Sequence, residues 1–174
     1  MKYNPDIHHR RSIRLQGYDY SSPGAYFVTI CTQNRECLFG DIVNGKMVLN
    51  DIGKIVADEW IKTGDIRDEI ELDAWVVMPN HFHGIVMIRR GDQPVAPTSA
   101  PLPGPRPKSI GSLMSGFKSA VTKRINKIRQ TPGISVWQRN FYEHIIRNET
   151  ELGNIRQYII NNPLNWRSDE NYKF

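Results

Sequence analysis

Two apolar segments joined by a short polar turn restrict the folds open to this chain more than any other feature. Residues 70–78 and 81–88 each have the β-branched and aromatic composition of a strand, and Pro79-Asn80 between them is a turn signal. The pattern predicts an antiparallel hairpin. Its second strand begins with His81, Phe82 and His83, so two of the chain's five histidines stand in an otherwise apolar stretch.

The other predicted elements flank this hairpin in a regular order. Residues 25–32 predict a strand, Asn44-Gly45 predicts an inserted hairpin, and a helix follows from Asn50 or Asp51. An amphipathic helix is predicted over about 109–130, a strand within 134–146, and a last helix from Asn148 to just before Pro163. Without the insertion the order is β-α-β-β-α-β. We therefore predict an α+β fold, a ferredoxin-like antiparallel sheet with helices on one face, followed by the C-terminal helix.

Length and composition indicate one domain over residues 1–174, of which 39% are hydrophobic and 24% charged. Within it we expect a basic N-terminal arm over 1–20 and a loop over 91–108 that contains six prolines. No apolar run is long enough for a membrane span, and no apolar signal segment follows the basic N-terminus. We expect a cytoplasmic protein with no membrane partner.

The net charge of +5 fits a nucleic-acid partner, although a basic enzyme of another kind would fit it too. Two clusters hold much of the positive charge, and either could be a nucleic-acid contact or a solvated face. They are Arg10, Arg11 and Arg14 near the N-terminus, and Lys118, Lys123, Arg124 and Lys127 in the second long helix. Cys31 and Cys37 fit neither a zinc motif nor a disulfide framework, so we expect both to be reduced.

His81 and His83 point to the same face of the predicted strand, because side chains alternate along a strand. Two imidazoles on one face can begin a divalent metal site; the alternative is a histidine pair hydrogen-bonded beneath the sheet. Tyr158 and Asn162 lie one turn apart on one face of the last helix. The amide oxygen could bind a cation beside a tyrosine nucleophile, or the tyrosine could pack in the core while Asn162 caps the helix. The residues alone leave these alternatives open.

Three segments, taken in order, resemble a known family. VVMPNHFHGIV contains the His-hydrophobic-His motif of the HUH single-strand DNA endonucleases. With WQRNFYEHIIRNETEL and QYIINNP, it resembles the REP-associated tyrosine transposases, a branch of the single-tyrosine HUH transposases. The resemblance spans roughly residues 25–163. It implies a metal-dependent endonuclease and strand transferase that acts on single-stranded DNA containing REP-like hairpins.

The resemblance also implies roles for individual residues. His81, His83 and Asn162 would hold one Mg²⁺ or Mn²⁺. Tyr158 would attack a DNA phosphodiester, keep the 5′-phosphate as a phosphotyrosine and release a 3′-hydroxyl. Tyr142 lies in a second family motif, but no candidate ligand follows it by one turn, so Tyr158 is the predicted nucleophile.

The DNA partner would be contacted by the two basic clusters, with the chain acting as a monomer or a homodimer. The alternative from a different functional class is a domesticated protein that binds DNA or RNA hairpins without turnover. Loss of cleavage but not of DNA binding in Tyr158→Phe would distinguish the enzyme from the binding protein.

Overall fold

The structure is a computed structural model that describes residues 17–89 and 107–172. In chain order its strands and helices are β1 (Gly24–Cys31), β2 (Gly40–Val43), β3 (Lys46–Leu49), α1 (Asp51–Ile66), β4 (Ile70–Val77), β5 (His81–Ile88), α2 (Ile110–Arg129), β6 (Tyr142–Ile146) and α3 (Glu149–Asn161). The elements occur in the predicted order.

The main sheet confirms the predicted ferredoxin-like topology. Its four strands pair antiparallel in the order β4-β5-β1-β6, and β2 pairs with β3 in the predicted inserted hairpin. Asn44 and Gly45 form the turn of that hairpin with φ angles of 51° and 73°. Two consecutive positive φ angles are what a tight hairpin turn with the right-handed strand twist requires.

The strand predicted within 134–146 is shorter than that range. Only Tyr142–Ile146 forms β6, while Trp137 makes an isolated bridge to Thr32. The carbonyl oxygens of Gln138 and Arg139 accept hydrogen bonds from the Lys118 ammonium group of α2, at 2.6 and 2.9 Å. Main-chain hydrogen bonds also join the segment to residues at and after the end of β1, from Gln138 N to the Cys31 carbonyl and from Gln33 N to the Val136 carbonyl, and the regular ladder begins only at Tyr142.

Strand β5 separates two cores. On one face of the sheet, Phe82 packs against Trp60 of α1 and Phe117 of α2. On the other face, α3 packs through Leu152 and Ile159 into a smaller apolar cluster that includes strand residues. The helices of the ferredoxin-like repeat thus share one face, as predicted, and the C-terminal helix lies on the opposite face.

Some predicted features lie outside the described residues. These are Arg10, Arg11, Arg14, residues 1–16 of the predicted arm, and residues 91–106 of the predicted loop. Of the helices in the described part, none is both long and apolar enough to span a membrane.

Gly84 leaves the space in β5 that the Trp60 ring occupies. A Cβ atom at Gly84 would lie 2.8 Å from Cζ2 of Trp60 and 2.9 Å from Cε1 of Phe82, and both side chains are fully buried. We expect Gly84→Ala to lower the free energy of unfolding by about 1–3 kcal/mol, the usual cost of overpacking a core. Urea unfolding measures this difference.

Gly153→Ala in α3 is the matched control, since nothing lies within 4 Å of its added Cβ. This change should leave stability unchanged or raise it slightly, because alanine favours helix more than glycine does. Equal unfolding midpoints for the two variants would contradict the packing argument.

Candidate active site

His81 and His83 begin β5 and lie buried on the α3 side of the sheet. Their exposed fractions are 0% and 1%, and their ring centroids are 4.5 Å apart. Burial lowers the pKa of His81 to about 4 and, together with the neighbouring His81, lowers the pKa of His83. Both imidazoles are therefore neutral at pH 7, which is the form that binds a metal ion.

The amide of Asn80 fixes the orientation of the His81 ring. Its nitrogen donates to the carbonyl oxygens of Arg35 and Asn171, at 3.1 and 2.9 Å. Its oxygen therefore faces Nδ1 of His81, at 2.9 Å, and can only accept. The proton of His81 then sits on Nδ1, and Nε2 presents a free lone pair on the other side of the ring.

His83 is held in the same manner between a strand neighbour and α3. Thr29 lies opposite His83 in the β1–β5 pairing, and its hydroxyl is 2.7 Å from Nδ1. The Tyr158 hydroxyl lies 3.3 Å from Nε2. Both neighbours are hydroxyls, which can donate or accept, so either tautomer of His83 is compatible with these contacts. Nε2 faces Tyr158 and the open side of the site.

Helix α3 positions Tyr158 and Asn162 above the histidines. The helix begins as predicted at Asn148, whose side-chain oxygen accepts from the Glu151 amide at 2.8 Å. Asn162 ends it, but its side chain is only 2% exposed and points inward. The spacing of one helical turn therefore brings both predicted residues to the histidine pair.

Asp169 completes a group of possible ligands. One ligand atom each from His81, His83 and Asp169 lie within 4.8 Å of one another. The Asn162 amide nitrogen donates to the Asp169 carboxylate at 2.9 Å, which turns the amide oxygen the other way. That oxygen and Nε2 of His81 are buried without a hydrogen-bond partner among the described residues. Two imidazole nitrogens, one carboxylate and one unpartnered amide oxygen suit a divalent cation.

The site opens into a cleft of about 800 Å³ with an aromatic wall of Phe27, Phe141 and Tyr142. Tyr158 is 41% exposed to this cleft. Partial burial, with the charges of Asp169 and Glu170 added, raises the pKa of Tyr158 to about 12. The tyrosine is therefore accessible but protonated when the site contains only protein groups.

Sequence reasoning missed Asp169 and the two orienting residues, Asn80 and Thr29. Asp169 follows α3 by a turn and a short 3-10 helix, Trp166–Ser168, which is too brief for a sequence period to place Asp169 near the histidines. Thr29 could have been found only from the pairing register of β1 and β5. Asn80 stands in the quoted motif, where Pro79-Asn80 predicts only a turn.

The described basic residues of α2 have different surroundings. Arg124 pairs with Glu59 and Asp58 of α1, and Lys118 is tied to two carbonyls, with burial lowering its pKa. Lys123 and Lys127 line a second groove between α2 and the segment 130–139. Gln138 lines both this groove and the cleft, so the two surfaces meet. Contact of these residues with DNA stays a prediction.

Several known proteins are similar to this chain. An uncharacterised protein of Haemophilus influenzae is 44% identical over 98% of this chain and 97% of its own length. A second protein of that organism, named "Putative REP-associated tyrosine transposase", is 28% identical over 84% of this chain and 73% of its own. The REP-associated tyrosine transposase of Escherichia coli is 25% identical over 83% and 69%.

A solved REP-associated tyrosine transposase bound to a REP hairpin has the same fold, with a TM-score of 0.60 and 24% identity. The match covers 90% of this chain and 74% of that one. A scan against protein-family models found no match.

A ferredoxin-like sheet with a buried histidine pair facing a tyrosine on a separate helix is the arrangement that the resemblance to single-tyrosine HUH proteins implies. Within that class, the named sequence relatives support the REP-associated tyrosine transposase family for this chain, and the solved structure shows the same fold. The predicted family and fold class are confirmed. The names of these relatives indicate an enzyme.

A salt bridge ties α3 to β4 two residues before Tyr158. Arg156 Nε donates to the Asp73 carboxylate at 3.0 and 3.2 Å, and this contact lowers the pKa of Asp73. A lowered pKa in the folded state means that the ionised carboxylate stabilises the fold above its unfolded value of about 3.9. That contribution is lost as the pH falls through the folded-state pKa.

We expect Asp73→Asn to lower the urea midpoint at pH 7, with the difference from wild type closing as the pH approaches 3. Glu71→Gln is the control. Glu71 lies in β4 like Asp73, but its ion pair with Arg89 is exposed, so this change should alter the urea midpoint little. A difference in midpoint that stays constant from pH 7 to pH 3 would show that the Asp73 charge does not hold α3.

Proposed function

We propose that this chain is a metal-dependent single-stranded DNA endonuclease and strand transferase, acting on hairpin-containing DNA through a 5′-phosphotyrosine. The observation that carries the proposal is the Tyr158 hydroxyl, 3.3 Å from Nε2 of His83 and open to the cleft. The solved relative bound to a REP hairpin supports DNA hairpins as the substrate.

The proposed metal ligands are His81, His83 and Asn162, to which the geometry adds Asp169. A bound Mg²⁺ or Mn²⁺ would polarise the phosphodiester and stabilise negative charge on the attacking and departing oxygens. The protein's own contribution is orientation. Asn80 holds the His81 ring proton away from the site, and Thr29 can accept the ring proton of His83 at Nδ1, the tautomer in which Nε2 of His83 can bind a metal ion.

The proposed reaction exchanges one phosphodiester for another. The Tyr158 oxygen attacks phosphorus, the bond from phosphorus to the 3′ oxygen breaks, and the 5′-phosphate stays on the tyrosine. The phenol proton leaves to solvent in the open cleft, and the departing 3′ oxygen gains a proton. Attack of a 3′-hydroxyl on the phosphotyrosine reverses the step and rejoins a strand, which a water nucleophile would not allow.

The proposed DNA contacts are electrostatic in large part. Lys123 and Lys127 line the groove that meets the cleft at Gln138, so a strand leaving Tyr158 could follow it. Lys118 and Arg124 contribute positive charge to the same helix while bound to protein groups. Arg10, Arg11 and Arg14 are proposed to contact the hairpin.

We expect Tyr158→Phe to abolish a covalent protein–DNA adduct while DNA affinity stays within about twofold, because only the nucleophilic oxygen is removed. The probes are labelled single-stranded hairpin oligonucleotides copied from the DNA that flanks the coding sequence of the chain. A denaturing gel with Mn²⁺ measures the adduct, and fluorescence anisotropy measures binding.

Tyr142→Phe is the matched control, because Tyr142 lies in the same cleft and packs edge-on against Phe27. It should retain the adduct. An adduct that survives in Tyr158→Phe and disappears in Tyr142→Phe would reassign the nucleophile. Retarded DNA without any adduct in wild type would favour a binding protein without turnover.

We expect Mn²⁺ to stabilise the protein. At about 100 times its dissociation constant, a ligand specific for the folded state contributes about 2.7 kcal/mol, or roughly 5–10 °C in Tm.

Asp169→Asn should weaken Mn²⁺ binding at least about tenfold and reduce this rise in Tm. Glu170→Gln is the control for loss of a neighbouring charge, and EDTA should reverse the rise. An unchanged wild-type Tm in Mn²⁺ would contradict the ligand assignment.

A further inference from the structure

Arg35 is the single lysine or arginine among the described residues that line the cleft. Asp169 and Glu170 line the same cleft and bring negative charge to it. A phosphodiester strand entering this space is itself an anion. A guanidinium at the rim would offset the repulsion, and its planar N–H groups match phosphate oxygens.

The backbone around Arg35 has a conformation that most residues avoid. Asn34 and Arg35 have φ angles of 57° and 56°, in the left-handed region that favours glycine. Neither is glycine, so the surrounding structure must hold them there. Thr32 does so in part, since its hydroxyl donates to the carbonyl oxygens of Glu36 and Asn80, at 2.8 and 3.1 Å.

The same amide that orients His81 also holds Arg35. Asn80 Nδ2 donates to the Arg35 carbonyl while Asn80 Oδ1 faces His81 Nδ1. The position of Arg35 along the cleft is therefore fixed relative to the histidine pair by a single side chain. Because the bond uses the main-chain carbonyl, replacement of the Arg35 side chain leaves it intact.

The side chain itself keeps capacity for a ligand. Arg35 Nη1 donates to the Glu170 carbonyl oxygen at 2.9 Å. A guanidinium has five N–H donors, and this bond uses one of them. The side chain is exposed at the rim, so a strand in the cleft can reach it.

We infer that Arg35 binds a non-bridging phosphate oxygen of the DNA strand in the cleft, at or beside the phosphodiester that Tyr158 attacks. The inference rests on the proposed function for the identity of the strand. The competing role for Arg35 is structural, in which its guanidinium only fastens the segment 169–171 through the Glu170 carbonyl.

Neutral linkages in the DNA separate these two roles. The wild-type cleavage product first locates the attacked bond in the hairpin oligonucleotide. A series of oligonucleotides then carries one methylphosphonate each, at that bond and at each of its neighbours. Adduct formation and equilibrium binding are measured for wild type, Arg35→Gln and Arg35→Lys. Arg89→Gln is the charge-matched control, since Arg89 pairs with Glu71 on β4 and does not line the cleft.

We expect Arg35→Gln to slow adduct formation about 10- to 100-fold, as for a lost hydrogen bond to a charged group. One methylphosphonate should slow wild type by a similar factor and cause no further loss in Arg35→Gln. Arg35→Lys should recover part of the rate, because it keeps the charge but loses the planar fork. Arg89→Gln should match wild type on every oligonucleotide.

Two results would overturn the phosphate contact. One is a rate of adduct formation in Arg35→Gln equal to that of wild type. The other is that, at every linkage, the rate losses caused by the methylphosphonate and by Arg35→Gln multiply, as independent effects do in a structural role. If wild type forms no adduct, the proposed function fails, and Arg35 is tested separately by binding constants for oligonucleotides that carry one methylphosphonate at each linkage of the hairpin in turn. If the effects of Arg35→Gln and of one methylphosphonate on the binding constant are not additive, the phosphate contact is supported. If they are additive at every linkage, the contact is rejected.

Discussion

The pairing of β1 with β5 determines which side chains meet in this molecule. Its register sets Thr29 opposite His83 and Cys31 opposite His81. Phe82 and Gly84 lie on the opposite face of the sheet, which packs against α1 and α2. A shift by one residue would exchange the two sets, placing imidazoles in the aromatic core and a phenylalanine beneath α3. The fit of Trp60 over Gly84 therefore also protects the geometry of the histidine pair.

Buried polar groups need hydrogen-bond partners, and in the histidine pair both Nδ1 atoms have partners whereas Nε2 of His81 has none among the described residues. Asn80 and Thr29 occupy the two Nδ1 atoms, while Nε2 of His81 and the amide oxygen of Asn162 face inward unpaired. Buried acceptors without donors are rare in folded proteins. The proposed cation would satisfy lone pairs that no donor in the described residues meets, which would account for neutral imidazoles in an apolar strand.

Sequence patterns predicted most of the fold and two residue pairs of the candidate site, and the reason is physical. Periods of two and of 3.6 residues fix which neighbours share a face, so His81 with His83 and Tyr158 with Asn162 could be paired within their own elements. Contacts between elements have no such period. Asp169 lies beyond a turn and a short 3-10 helix after α3, and the partners of Arg124 lie 65 and 66 residues away in the chain. Such contacts depend on the packed structure.

The proposed chemistry gives meaning to the charge arrangement around Tyr158. Burial and the carboxylates of Asp169 and Glu170 raise the pKa of the tyrosine to about 12, so these groups oppose the phenolate. An oxygen that attacks phosphorus must lose its proton, and positive charge has to accompany that loss. In the proposed site, the Asp169 carboxylate that would bind the cation also opposes ionisation of Tyr158 when no cation is bound. A nucleophile controlled in this way would break a strand only where the cation and the phosphodiester are both present, which suits an enzyme that must rejoin what it cuts.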